Sequence, residues 1–247
     1  MLRITDLSVF IQDQKILDHC SLTLQSNQVH ILMGPNGSGK SSLVSTIMGY
    51  PLYAILNGKI LLFDEDITTM PVHLRANKGI FLGMQHSIEI EGLLVLHFLK
   101  EIYSLREKRV ISIDELLMIV NPLLNLVGLS ESILQRYVNV GFSGGEKKRF
   151  ELLQMLLLKP QVVLLDELDS GVDIDGLKQL AHALCWYREQ NPLVTILLVT
   201  HYRRILEYIK PDFVHVMIDG KIVVTGDSQI VDQLEQQGYE FYAKRSE

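Results

Sequence analysis

Val29-His30-Ile31-Leu32-Met33-Gly34-Pro35-Asn36-Gly37-Ser38-Gly39-Lys40-Ser41 is the stretch on which the reading of the fold turns. Its first five residues form a short, nearly continuous apolar run, the pattern of a strand covered on both faces in a parallel sheet. The next eight fit G-x-x-x-x-G-K-[ST], and residues 40–48 carry helical apolar spacing, stopped by Gly49 with Pro51 beyond. A glycine-rich turn between a buried strand and a helix suits phosphate. The glycines let successive main-chain N–H groups point at phosphate oxygens, and the helix N-terminus adds partial positive charge. Gly34, Pro35, Asn36, Gly37, Ser38, Gly39, Lys40, Ser41 and Ser42 are therefore the expected nucleotide-binding residues. Lys40 is expected to reach the β- and γ-phosphates and Ser41 to ligate Mg²⁺ through its hydroxyl, which makes ATP and Mg²⁺ the expected cofactors.

Outward from this loop the pattern is of strands and helices in alternation. Residues 2–9 and 16–24 alternate apolar and polar side chains around a polar turn, as half-buried strands do. Residues 80–84, 162–165, 195–199 and 213–218 read as further buried strands, and 173–189 and 202–209 as helices. The alternation implies βαβ units and a mostly parallel sheet. Between 86 and 158 three helical patterns follow one another, at 93–105, 113–127 and 146–158, with no strong strand between them. The expected fold is thus α/β: a P-loop NTPase core with a mostly parallel sheet, an antiparallel β region and an inserted helical subdomain. Residues 1–85 and 159–247 are assigned to the core and 86–158 to the insertion, all within one domain.

Composition bounds the function. The chain has 247 residues, 47% apolar and 21% charged, which is ordinary globular usage, and a formal charge of −6 that offers no nucleic-acid surface. No basic segment followed by an apolar one opens the sequence, so no secretory signal is expected. The longest apolar stretches, such as 194–200, fall far short of the roughly 20 residues a membrane helix needs, so no direct membrane insertion is expected. Two distant cysteines, Cys20 and Cys185, fit a reducing cytoplasm.

Val162-Val163-Leu164-Leu165-Asp166-Glu167 is a buried strand ending in two acids. A strand-end turn gives the same pattern; beside a phosphate loop, Asp166 is expected to hold Mg²⁺ through a water and Glu167 to polarise the attacking water. In Ser143-Gly144-Gly145-Glu146, Ser143 and Glu146 have capping-box spacing. A capped helix does not need Gly144 and Gly145, however. Two glycines there leave main-chain amides bare for a close-approaching anion.

The run Phe142-Ser143-Gly144-Gly145-Glu146 resembles the signature motif of the ABC-type ATPases, with Phe142 and Glu146 where Leu and Gln are usual. In that family the signature of one subunit closes over the γ-phosphate held by another, so Ser143, Gly144, Gly145 and Glu146 are implied to act in trans. The resemblance also implies that Gln85 contacts Mg²⁺ and links the site to the helical subdomain. It makes His201 the switch histidine at the γ-phosphate, and places Asp169 and Asp173 in the D-loop. The runs 139–149, 165–175 and 200–206 are similar to one branch, the SufC ATPases of the SUF iron–sulfur cluster assembly system. That implies SufB- and SufD-like scaffold proteins as partners, and a transient ATP-dependent homodimer. Docking is then expected near residues 85–96, where ABC ATPases generally couple to partners. Two cysteines do not suffice for a cluster, which usually takes four thiolates, so the cluster is expected on another protein. The alternative implied by the same motifs is the ATPase subunit of a membrane ABC transporter.

Overall fold

The computed structural model describes residues 1–85, 87–200 and 203–243. Two strands open the chain, β1 (Leu2–Ile11) and β2 (Gln14–Leu24), and β3 (Val29–Met33) runs into the phosphate loop and helix α1 (Lys40–Met48). Then come β4 (Ala54–Leu62), β5 (Glu65–Asp66), the short helix α2 (Val72–Asn77) and β6 (Ile80–Gly83). The middle of the chain holds β7 (Ile90–Leu94), α3 (Val95–Glu107), α4 (Ile113–Val127), β8 (Tyr137–Val138) and α5 (Gly144–Leu158). It continues with β9 (Val162–Asp166), α6 (Ile174–Gln190), β10 (Thr195–Val199), β11 (Phe213–Ile218), β12 (Lys221–Gly226), α7 (Gln229–Gln237) and α8 (Glu240–Ala243).

The chain forms two compact units. The first comprises Met1–Leu82, Gln161–Leu168 and Pro192–Glu247; the second comprises Gly83–Pro160 and Asp169–Asn191. Sequence periodicity assigns all of 159–247 to the nucleotide core, whereas in the structure α6 groups with the helices of the second unit. An amphipathic helix shows its buried face in its sequence but not which neighbour covers that face.

In the first unit a six-stranded sheet has the order β12-β11-β3-β10-β9-β6, with β11, β3, β10 and β9 parallel. Every residue of β3, β9 and β10 is buried, which is why these strands read as unbroken apolar runs. A second sheet is antiparallel in the order β2-β1-β4-β5. Its strand β4 escapes the sequence reading because Asn57-Gly58 interrupts the alternation. Gly58 has φ +92°, and a Cβ there would lie 2.5 Å from the Asp6 carbonyl oxygen. Asp6 and His19 also have positive φ, so β1, β2 and β4 bulge together at one level. The Asp6 carboxylate joins that level, 2.6 Å from His19 Nδ1 and accepting from Asn57 Nδ2 at 2.7 Å.

Arg75, on α2, is 2% exposed. Its Nε donates to Met70 O, Nη1 to Thr46 O and Ile47 O, and Nη2 to Thr68 O, at 2.7–2.9 Å. Among the described residues no carboxylate pairs with it; the guanidinium caps the last carbonyls of α1, which Gly49 ends at φ +87°.

His30 on β3 and His215 on β11 form a buried chain. The Gln25 amide donates to His30 Nε2 at 3.3 Å, which leaves the His30 proton on Nδ1 to donate to His215 Nε2 at 2.9 Å. His215 Nδ1 then donates to Thr225 Oγ1 at 2.8 Å. Burial pushes both imidazoles down, His30 to about 4 against the opposing pull of Asp212 and His215 to about 3.

In the second unit Phe150 on α5 is fully buried between Phe98 and Phe142, and α4 is capped by Ser112, whose hydroxyl accepts the Glu115 amide. A small antiparallel pair, β7 with β8, lies where the sequence shows no strong strand. Arg203–Glu207 is a 3-10 turn rather than the α-helix its spacing suggests, and Pro211 just beyond leaves little room for more.

Candidate functional site

The phosphate loop occupies the C-terminal end of β3, where open α/β sheets place their ligands. Gly34 is required by its own unit: a Cβ there would lie 2.1 Å from the Met217 carbonyl oxygen on β11. Gly37 and Gly39 turn the loop at φ +81° and +103°. The Leu43 amide bonds the Gly39 carbonyl at 2.8 Å, the first turn of α1, and Gly220 N–H holds the loop at Ser38 O. Lys40 is 5% exposed. Its ammonium donates to Gly34 O at 2.9 Å, Pro35 O at 2.8 Å and Ser38 Oγ at 3.4 Å, so it lies folded across the loop. Burial lowers the Lys40 pKa, and the nearby charges of Asp166 and Glu167 oppose that shift.

Those two acids reach the same end of the sheet through register. Val199 on β10 is aligned with Leu32 on β3 on one side and with Asp166 on β9 on the other. Asp166 is 5% exposed. Glu167 has φ +52°, uncommon for a residue with a side chain, and its amide is tied to Val199 O at 2.9 Å. Such a conformation persists where the surroundings over-determine it, and it clusters at active sites. The sequence carries no signal for it. The Ser41 hydroxyl and Asp166 carboxylate are hard oxygen donors of the kind Mg²⁺ takes. The glycine-made loop in front of a buried lysine fits a polyphosphate.

In the second unit the signature residues open α5. Ser143 Oγ accepts the Glu146 amide at 3.2 Å and Glu146 Oε2 accepts the Ser143 amide at 2.9 Å, so the capping box is present. The other Glu146 oxygen takes Arg136 Nη1 at 2.8 Å, while Arg136 Nη2 donates to Gly141 O. Its guanidinium also lies 4.3 Å from the centre of the Phe142 ring. The Ser143 amide, then the Arg136 cation, hold the Glu146 pKa below the usual carboxylate range. Sequence reasoning misses Arg136, which sits in an unremarkable loop. Gly144 comes within reach of Gly171: a Cβ would meet its carbonyl at 3.0 Å. A Cβ on Gly145 would meet nothing within 4 Å.

Gln85 is exposed, two residues beyond β6. Asp169 is buried, and Asp173 serves as N-cap of α6, its Oδ1 accepting the Gly176 amide at 2.7 Å. His201 lies outside the described residues. Burial raises the thiol of Cys20 to about 12, and that of Cys185 is raised for the same reason, so neither is a ready thiolate. Among the described residues no helix is long and apolar enough to cross a membrane.

Residues 17–170 match the family described as ABC transporter. Among curated relatives, the probable ATP-dependent transporter ycf16 of Cyanidium caldarium is 42% identical over 98% of this chain and 96% of its own length. A probable ABC transporter ATP-binding protein of Streptococcus pyogenes is 42% identical over 97% and 93%. A solved dimeric ATP-binding cassette in a post-hydrolysis state, bound to ADP and phosphate, is similar in fold, with a TM-score of 0.82. At 17% identity, it covers 92% of this chain and 98% of its own.

Proposed function

The chain belongs to the ABC transporter family and is an ATPase of the ABC type, and from that premise we propose that it drives conformational change in a SufB–SufD-like scaffold during iron–sulfur cluster assembly. The observation that carries the proposal is the set of runs 139–149, 165–175 and 200–206, which extend beyond what ATP chemistry demands. Two cysteines with raised pKa values support a cluster held elsewhere. Ile88 and Ile90 stand exposed in the segment 85–96, an apolar face suited to docking.

In this reading main-chain amides of the loop after Pro35, which itself has no N–H, and the Lys40 ammonium bind the phosphates, and Lys40 exchanges its loop carbonyls for phosphate oxygens. Ser41 and Asp166 would hold Mg²⁺, which would supply charge neutralisation on the phosphates, and the family resemblance assigns Gln85 a contact with the same ion. Glu167 orients the attacking water and accepts its proton, and the family resemblance assigns His201, which lies outside the described residues, a contact with the γ-phosphate. Ser143, Gly144, Gly145 and Glu146 act on the nucleotide of a second copy, with Asp169 and Asp173 at that homodimer contact. A dimeric form is described for a structural neighbour, which favours this arrangement.

The transporter reading has its own support, since relatives carry names such as probable ABC transporter ATP-binding protein. Affinity capture of the tagged chain from its native lysate separates the two readings, with soluble and detergent-extracted fractions analysed by mass spectrometry. We expect soluble scaffold proteins in near-equal amount. Recovery of a membrane permease without them overturns the cluster-assembly proposal in favour of transport. The shared site is tested by mixing Lys40→Ala with Gly145→Asp chains. A mixed dimer has one site with both lesions and one with neither, so activity returns; no recovery in demonstrable mixed dimers refutes it.

A further inference from the structure

A lysine and a glutamate three residues apart on a helix normally form an exposed pair of small consequence. Lys148 and Glu151 on α5 do not: their side chains are 6% and 10% exposed. Burying two charges is costly unless their remaining hydrogen-bonding capacity is met, and here Met84 bonds to both of them. Glu151 Oε1 accepts the Met84 amide at 2.7 Å, and Lys148 Nζ donates to the Met84 carbonyl at 2.9 Å. The two charges lie 3.4 Å apart, Nζ to Oε2. Both main-chain groups of Met84 are thus taken, outside any helix or strand, as a neighbouring strand would take them. The helix that supplies the clamp begins at Gly144, so Lys148 and Glu151 lie about one and two turns beyond it, while Gln85 is bonded directly to Met84.

We propose that Glu151, with Lys148 as its counter-ion, is a positioning residue that fixes the main chain at Met84. Gln85 and the signature helix then move as one piece. The pair touches no reacting atom; it makes the place of Gln85 depend on the place of α5. An apolar pair at these positions would satisfy the packing of α5 but take both of these bonds from Met84. The inference rests on the reading of Gln85 as a group that responds to Mg²⁺-nucleotide, and the test separates the two.

Hydrogen exchange on the unaltered chain comes first, because no variant has to fold. The Met84 amide should exchange at least about 100-fold more slowly than an unprotected amide, together with the interior of α5; exchange at the rate of an open loop overturns the proposal. The second measurement is the Mg²⁺-dependent affinity for a fluorescent ATP analogue. The variants are Gln85→Ala, the double change Lys148→Met with Glu151→Leu, and all three together. The double change removes both charges while keeping volume, and should weaken the Mg²⁺ response about fivefold, as Gln85→Ala does, with the triple variant no worse than either. Glu151→Gln keeps an acceptor for the Met84 amide and should restore most of the response. Additive losses, or a folded double variant with the unaltered Mg²⁺ response, overturn the positioning role alone. An unaltered response in Gln85→Ala overturns the reading of Gln85, and the clamp then has nothing to position.

Discussion

The phosphate loop and the signature loop are both glycine-rich and both open a helix, but their glycines are kept for different reasons. At Gly34 the neighbouring strand β11 excludes any side chain, and Gly37 and Gly39 are bent into the left-handed region. A neighbouring strand explains the first, and the loop's own backbone conformation the other two. At Gly145 nothing in its own unit objects to a Cβ, and the helix has a serine cap, a glutamate partner and an arginine behind them. A glycine in the first turn of a helix, where alanine would be more stable, points to something outside the fold. The glycines of the phosphate loop are set by the protein itself, as Gly144 is by Gly171, whereas Gly145 is kept for what it is expected to meet.

Four outcomes break or sharpen this contrast. Glu167→Gln keeps the shape of the side chain while removing its charge, and hydrolysis should fall at least about 10²-fold. Nucleotide binding, followed by equilibrium dialysis, should persist. Near-normal turnover would take Glu167 out of the role. Gly34→Ala should cost about 3 kcal/mol of stability in urea titrations, the upper range for forcing atoms into a packed site. A folded, nucleotide-binding Gly34→Ala protein would show that β11 yields more easily than the 2.1 Å approach implies.

The third concerns acid. His30 and His215 are held neutral in the fold, below the ordinary value near 6.5, so only the unfolded chain takes up their protons as pH falls. Their contribution is whole above pH 6.5 and is lost as pH falls from there through about 4. The slope is about 1.4 kcal/mol per pH unit for each histidine. Denaturant midpoints measured from pH 7 to 5 should decline, and amide protection in β3 and β11 should fall before that in α5. Flat midpoints would mean that the chain from Gln25 to Thr225 opens to protons without loss. The smallest effect is at Gly145→Ala, where stability should hold or rise by up to about 1 kcal/mol because alanine is the better helix former. ATPase activity of the proposed dimer should nevertheless drop, and full activity would remove the external reason for that glycine.

Much of this is written in local sequence. The strands β3, β9 and β10 are legible because burial on both faces leaves only apolar residues, and the phosphate loop because its chemistry needs a fixed spacing of glycine, lysine and serine. Strand β4 is not, because the level shared by Asp6, His19 and Gly58 breaks its alternation, and three strands must be assembled before the break makes sense. Nor is the Lys148–Glu151 pair, whose spacing reads as a solvated helix face. Arg136 belongs to the same class: only folding brings it against Glu146 and Phe142. The left-handed backbone of Glu167 is set by its bond to Val199, 32 positions on. Contacts made across sequence distance leave no local trace.

Arg75 carries a consequence for how the nucleotide unit comes together. Its guanidinium can leave water only when the carbonyls of Thr46, Ile47, Thr68 and Met70 all face it, and no single segment owns that set. A helix α1 one residue too long, or a turn at 68–70 of the wrong hand, strands a cation in a dry interior, at a cost several times that of a lost hydrogen bond. The residue thus acts as an inspector of assembly, tolerating one arrangement of three segments and penalising near misses. Lysine, a point charge on a flexible stem, lacks the planar fork to make the same check.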